Sequence, residues 1–336
     1  MAEDVPVAAC LQAVDGALTV AFADGPSVRL WHSGSGGAEL GTTDSAITSI
    51  ALDAAGARVV TVNDKTLTVW DVSQRRALWR TVVGKRPATV VFDGARVLLA
   101  DKFGEVWTLT EDATRAETAD AAAAIASGPE PQFQTGVVSP ISAMILSAAR
   151  DRLVTADSDR RIRVSLWPDA YQIEAFCMGS KSTPTVLAFA CGRELLLSGG
   201  EDGSVHAWHP TSGALLALAR PASDLPPSAP AGPGAAAEPS AAVRALCATV
   251  GGAKTIVAVA LAAGAPRVQL YSLEQLEGDA SLRACGVVEL TDARGSVCKL
   301  HSLANGSLLA VCAGRQVFQL EPSEEHGMRL AGCHYI

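Results

Sequence analysis

Arg58-Val59-Val60-Thr61-Val62-Asn63-Asp64-Lys65-Thr66-Leu67-Thr68-Val69-Trp70-Asp71 decides how this chain is read. A β-branched run comes first, then a polar turn, then a second β run that ends in an aromatic residue. Val and Thr favour strands, and Asn and Asp favour tight turns that need positive φ or a side-chain cap. The same order recurs downstream. Arg96–Ala100 precedes Asp101-Lys102-Phe103-Gly104, Arg152–Ala156 precedes Asp157-Ser158-Asp159, and Leu195–Ser198 precedes Gly199–Gly203. The strand after the turn has seven instances, whose last residues are Trp31, Trp70, Leu109, Ser165, Trp208, Tyr271 and Leu320. A further apolar run lies upstream in most repeats: Ile47–Leu52, Ala88–Phe92, Ile141–Leu146, Val186–Ala190, Val243–Cys247 and Val297–Leu303.

The seven end residues are 39, 39, 56, 43, 63 and 49 positions apart. Propeller blades of the WD type repeat every ~40–45 residues. The two long gaps contain Thr118–Gly136, with an alanine run before Gly-Pro-Glu-Pro, and Ala219–Ala241, rich in Pro, Ala, Ser and Gly. Short strands at even spacing, with turn chemistry between them, predict an all-β chain. The expected fold is one seven-bladed WD-repeat β-propeller over residues 1–336, with low-complexity loop insertions at about 118–136 and 219–241. For the last blade, Met328–Ile336 is expected to supply an outer strand, with the N-terminal stretch Pro6–Leu11 competing for the same edge.

Composition narrows the function. Hydrophobic residues make up 49% of the chain and charged residues 18%, which is enough apolar material for a core. Lys and Arg number 27 against 35 Asp and Glu, a net charge of -8. Phosphate neutralisation supplies most nucleic-acid affinity, so this balance argues against a self-sufficient DNA or RNA binder. It is compatible with a protein that works beside one. The apolar run Ile256–Ala263 falls far short of the ~18 residues of a membrane span. The start Met1-Ala2-Glu3-Asp4 lacks the basic residues of an export signal. None of the eight cysteines forms a C-x-x-C pair, so they are expected to be reduced and mostly buried. The histidines lack H-x-E and H-E-x-x-H spacing, and no metal site is expected. No G-x-S-x-G or P-loop signature occurs, and no catalytic residues are assigned. The Trp and Phe residues are expected mostly at repeat-core positions rather than in a base-stacking platform.

Two segments are more specific than the repeat: Leu99–Trp107, with Ala100-Asp101-Lys102-Phe103-Gly104-Glu105-Val106, and Leu153–Ser165, with Thr155-Ala156-Asp157-Ser158-Asp159 and Ile162-Arg163-Val164-Ser165. The second continues into Ile173–Gly179, which ends Phe176-Cys177-Met178-Gly179. In order and spacing they resemble the third and fourth blades of the non-catalytic WD-repeat subunit of tRNA (guanine-N7)-methyltransferase. The clear resemblance covers about Ala88–Gly213. One departure is Gly179-Ser180, where many members carry Gly-His, so a turn contact of that blade is in question.

The resemblance implies a scaffold that holds a catalytic partner, as a heterodimer, for N7-methylguanosine formation in the tRNA variable loop. It implies no cofactor on this chain, with S-adenosylmethionine on the partner, and tRNA bound mainly through the partner. A nuclear location follows from the family, with a cytoplasmic one as the alternative. The expected partner interface comprises Arg163, Arg161, Lys102, Asp101, Asp157 and Asp159. For Arg163 the competing reading is an internal pair with Asp157 or Asp159. For Asp101 and Lys102 it is a solvated hairpin tip. Lys85 and Arg86 are candidate tRNA contacts, with a solvated loop pair as the plainer alternative. An adaptor for an unrelated complex is the alternative function.

Overall fold

Each of the seven repeat strands is the third strand of its own sheet in the computed structural model. The structure describes residues 9–14, 17–33, 36–111, 125–190, 195–221, 242–251, 254–262, 265–276, 279–303, 305–323 and 327–335. Among these residues there is no helix, and the architecture is a seven-bladed β-propeller. The first sheet is β1 (Ala9–Val14), β2 (Ala17–Asp24), β3 (Ser27–His32) and β4 (Gly36–Thr42). The second is β5 (Ser49–Leu52), β6 (Arg58–Asn63), β7 (Thr66–Asp71) and β8 (Arg76–Val82). The third runs β9 (Pro87–Asp93), β10 (Arg96–Asp101) and β11 (Glu105–Thr110). After β11 the chain adds β12 (Ala126–Ser127) to the outer edge of β8, then returns as β13 (Gln132–Gly136) to complete the third sheet.

The fourth sheet is β14 (Ile141–Leu146), β15 (Arg152–Asp157), β16 (Ile162–Leu166) and β17 (Ile173–Cys177). The fifth is β18 (Pro184–Phe189), β19 (Leu196–Gly200), β20 (Val205–Trp208) and β21 (Leu215–Ala219). The sixth is β22 (Val243–Gly251), β23 (Lys254–Leu261), β24 (Arg267–Leu276) and β25 (Asp279–Glu289). The seventh is β26 (Val297–Ser302), β27 (Leu308–Cys312), β28 (Gln316–Ser323) and β29 (Gly327–Tyr335).

Two compact units divide the chain, one of residues 1–157, 165–172 and 336, the other of residues 158–164 and 173–335. In the first, Val60, Val62, Leu67 and Val69 of the second sheet pack with Val90, Phe92, Val97 and Leu99 of the third. In the second, Leu195, Leu197, Val205 and Ala207 pack with Leu246, Ala248, Val257 and Val259. Stacking sheet on sheet buries both faces of the inner strands, which is why β7, β10 and β20 are buried almost throughout, Thr68 and His206 included. The fourth strands lie at the sheet edge. There β17 and β21 mix buried and exposed positions.

Two expectations change here. The stretch expected as an insertion at about 118–136 ends in strand, because β12 and β13 find partners in β8 and β11. Residues 112–124 and 222–241 lie outside the described residues. Among the described residues no competition arises over the last blade; residues 6–8 of the expected competitor lie outside them. The C-terminal segment forms β29 beside β28, and the N-terminal one forms β1 beside β2, so each end sheet is completed by its own segment.

Polar links tie sheets together within the first unit, and the sequence pattern does not announce them. Arg58 of the second sheet donates to Gly94 O in the third at 2.7 Å, and Arg150 of the fourth donates to Phe92 O. Trp167 Nε1 donates to Asp93 Oδ2 at 2.9 Å, and Arg96 pairs with the same carboxylate at 3.6 Å.

Candidate functional site

The site is built from turns. Between the second and third strands of a sheet, the chain reverses through a left-handed residue: Asp64 at φ 50°, Gly104 at φ 93°, Arg160 at φ 66° and Gly203 at φ 76°. Gly104 is needed for a second reason. A Cβ there would meet Val137 O at 2.3 Å and Ser139 O at 2.6 Å. The connector into the fourth sheet therefore lies directly on this turn, and Val137 N donates to Gly104 O at 2.8 Å.

In the first unit these turns gather four of the predicted residues. Asp101 is 1% exposed, and its Oδ1 accepts from the backbone N–H groups of Phe103 (2.8 Å) and Glu105 (3.0 Å). It holds the turn rather than facing a partner, an arrangement in which a short side chain caps local donors. Lys102 is exposed, and its backbone N–H donates to Arg86 O at 3.2 Å, which joins it to the predicted basic pair. Lys85 Nζ lies 2.8 Å from Glu105 Oε1 and 4.9 Å from the Phe103 ring centroid. Arg86 Nε lies 3.4 Å from Asp64 Oδ1. Among the described residues neither Lys65 nor Lys102 has an ion-pair partner, and both are exposed.

Around these cations stand three apolar side chains that sequence reasoning passed over. Phe103 is 61% exposed, Val82 72% and Val138 93%. Phenylalanines are expected mostly in the core, and Phe103 is an exception: it occupies the tip of a tight turn, where folding asks for no apolar residue. That mismatch was the available signal. Lys85 lies over the Phe103 ring, and these turns bring exposed cations and exposed apolar side chains to one unit, a composition suited to a protein interface.

The remaining predicted residues separate. Asp157 belongs to the first unit and is buried. In the second unit, Arg161 pairs with Asp159 at 2.9 Å on the surface, and Arg160 donates to Lys181 O at 3.5 Å. Arg163 is only 6% exposed. Alternation is expected to set Ile162 and Val164 on one face and Arg163 and Ser165 on the other, but all four are buried. The exposed member of β16 is Leu166. Reversing the charge of Arg163 therefore tests the interior first, where an isolated carboxylate is strongly destabilising.

The Gly179-Ser180 departure has a structural answer in the second unit. Ser180 Oγ donates to Ser182 O at 2.7 Å, and Ser182 Oγ donates to Asp202 Oδ1 at 2.7 Å. Ser204 Oγ meets the same oxygen at 2.6 Å. Burial pushes the Asp202 carboxyl up, but these hydroxyls, the Ser204 N–H and nearby His206 together hold it below its ordinary value. His206 stacks on Trp208 with ring centroids 5.4 Å apart. Burial pushes the His206 pKa down, against the opposing pull of Asp202. Trp208 Nε1 donates to Ser198 Oγ at 2.9 Å, as Trp70 Nε1 does to Thr61 Oγ1 at 2.9 Å in the first unit.

Among the described residues no group of three or more His, Cys, Asp or Glu side chains is placed to hold a metal. No helix there is long and apolar enough to cross a membrane. None of the described cysteines is in a disulfide, and burial pushes the Cys177 and Cys312 thiols up to about 12.

His301, on β26, makes the fold sensitive to acid. Burial and then Lys299 push its pKa down from 6.5 to about 4. The unfolded chain thus binds the extra proton between pH 6.5 and 4. Stability is full above that window and falls as pH drops through it, with a slope of about 1.4 kcal/mol per pH unit for one proton. Urea denaturation at pH 6.5 and 5 is expected to show a loss of about 2 kcal/mol from this group, which His301→Gln removes.

Sheet count, strand order and the Trp–Ser/Thr pairs define a WD-repeat propeller. A model of the WD domain, G-beta repeat, matches residues 37–71. Similar solved structures include a chain of the mitotic checkpoint complex, with TM-score 0.68, 13% identity and 90% of this chain and 87% of that chain covered. Another is U3-55K, with TM-score 0.66, 20% identity and 93% and 90% covered.

A second model, described as the tRNA methyltransferase TRM82 WD40 domain, matches residues 114–316. That is more than half of the chain, and the chain belongs to this family. It is 28% identical over 167 residues to the tRNA (guanine-N(7)-)-methyltransferase non-catalytic subunit wdr4 of Dictyostelium discoideum, covering 47% of this chain and 36% of the relative. It is 29% identical over 161 residues to the corresponding subunit TRM82 of Saccharomyces cerevisiae (strain RM11-1a), covering 44% and 33%. The match therefore spans only about a third of these relatives' length.

Proposed function

We propose that this chain is the non-catalytic subunit of a tRNA (guanine-N7)-methyltransferase and holds the catalytic subunit through the patch around Phe103. The family match over residues 114–316 carries this reading. The distribution of charge supports it. A chain with net charge -8 carries a local group of exposed cations, Lys65, Arg86 and Lys102, around apolar side chains. Such a patch fits an acidic surface with an apolar centre on the partner, with charge guiding encounter and the exposed Phe103 ring, covered on binding, supplying affinity.

In this division of labour, S-adenosylmethionine, the methyl-transfer step and most of the tRNA contact belong to the catalytic subunit. A heterodimer and a nuclear location are part of the same proposal. The test is co-expression with a catalytic tRNA (guanine-N7)-methyltransferase, followed by size-exclusion chromatography. Co-elution as a one-to-one complex is expected. Separate elution at micromolar concentration contradicts the reading.

A further inference from the structure

The connection from β11 to β13 does more than join two strands. A hairpin link needs ~2–5 residues, whereas here the chain travels through residues 111–131 before β13 begins. On the way it visits the neighbouring sheet. Ala126 pairs with Trp79 and Ser127 with Arg80, in parallel, on the outer edge of β8. Gly128 N donates to Arg80 O at 2.8 Å, and Thr81 Oγ1 donates to Pro129 O at 3.3 Å. Ala126 also packs against the apolar cluster that contains Trp79.

The fit is selective for small residues. A Cβ on Gly128 would lie 2.0 Å from Thr81 Oγ1 and 2.4 Å from Trp79 Cε3. The requirement is one of space, because Gly128 has no left-handed φ. Pro129 and Pro131 then end the pairing, since proline cannot donate to a ladder. The fit is also incomplete, because the buried Trp79 indole N–H has no acceptor among the described residues.

An outer strand presents a row of backbone groups that another extended segment can pair with. We propose that the outer edge of β8 is a strand-addition site for an extended peptide of small residues, in which Ala126-Ser127-Gly128 sits as the chain's own occupant. A tethered occupant competes at an effective concentration on the order of millimolar, so it shuts out a free peptide until it is displaced.

The test uses the full-length chain, labelled with ¹⁵N, and a synthetic peptide of residues 125–132. Gly128→Val is expected to lift the segment off by its clash with Trp79 and Thr81. A second variant deletes residues 125–130 and leaves the outer edge of β8 open without adding bulk. In both, the peptide is expected to shift the amide signals of Trp79–Thr81 with an affinity at least tenfold tighter than for the parent chain. A peptide with Val in the Gly128 position should not bind. Equal response of parent and variants, or no response at Trp79–Thr81 in folded variants, overturns the proposal. If neither variant gives a cooperative thermal transition, the segment is an integral strand rather than an occupant, and the proposal fails.

Discussion

Trp208→Ala is expected to lower the stability of the chain by about 3–5 kcal/mol, the cost typical of truncating a fully buried tryptophan. Three losses coincide at this position. The side chain is 0% exposed, so its removal leaves a cavity that the rigid neighbouring strands fill poorly. Ser198 Oγ loses the indole N–H that meets it at 2.9 Å. His206, itself buried, loses the ring on which it stacks. Trp208→Phe separates these contributions. It keeps most of the volume and removes the hydrogen bond, so a loss of about 1–3 kcal/mol is expected. Urea denaturation at pH 7 measures both variants. A loss below about 1 kcal/mol for Trp208→Ala would show that the Trp–Ser pair does not anchor the fifth sheet.

Phe103→Asp combined with Lys102→Glu is expected to weaken the complex with the catalytic subunit at least a hundredfold, about 2.7 kcal/mol, while leaving the fold intact. Both side chains are exposed, and neither contributes to the buried clusters. The reversal puts carboxylates in place of an aromatic anchor and a cation. Surface substitutions away from buried features typically change stability by no more than about 0.5 kcal/mol, so a large effect on association would be separable from unfolding. Leu330→Asp is the control, because Leu330 is 40% exposed on β29, away from this patch in sequence. Titration calorimetry with the purified catalytic subunit gives both affinities. Equal affinity for the double variant and the parent chain would move the interface elsewhere.

The inner strands were legible from sequence because β-favouring runs recur there at even spacing after turn residues, and sheet-on-sheet stacking buries them on both faces. Leu67–Trp70, Val205–Trp208 and their relatives could hardly be anything else once their spacing was measured. That same stacking hid the position of Arg163. Alternation tells one face of a strand from the other, but here both faces are covered, so a basic residue in the pattern is not thereby on the surface. The outer strands were harder to read for the opposite reason. Segments such as Gly36–Thr42 and Gln132–Gly136 sit at an edge, half wet, with little apolar contrast. The pairing of Ala126 and Ser127 with β8 rests on backbone groups and small size, which leave almost no trace in composition. At the candidate site, the turn chemistry of Asp101 and Gly104 was readable, and so was the presence of nearby cations. The exposure of Phe103 was readable only from its place at the tip of a tight turn, because aromatic residues usually signal core.

Methyl transfer to tRNA by purified components tests the central claim most directly. This chain alone is expected to form no N7-methylguanosine. A large gain is expected when the chain is added to the catalytic subunit, and loss of most of that gain with the Phe103→Asp, Lys102→Glu variant. A catalytic subunit that methylates tRNA equally well with and without this chain would contradict the claim.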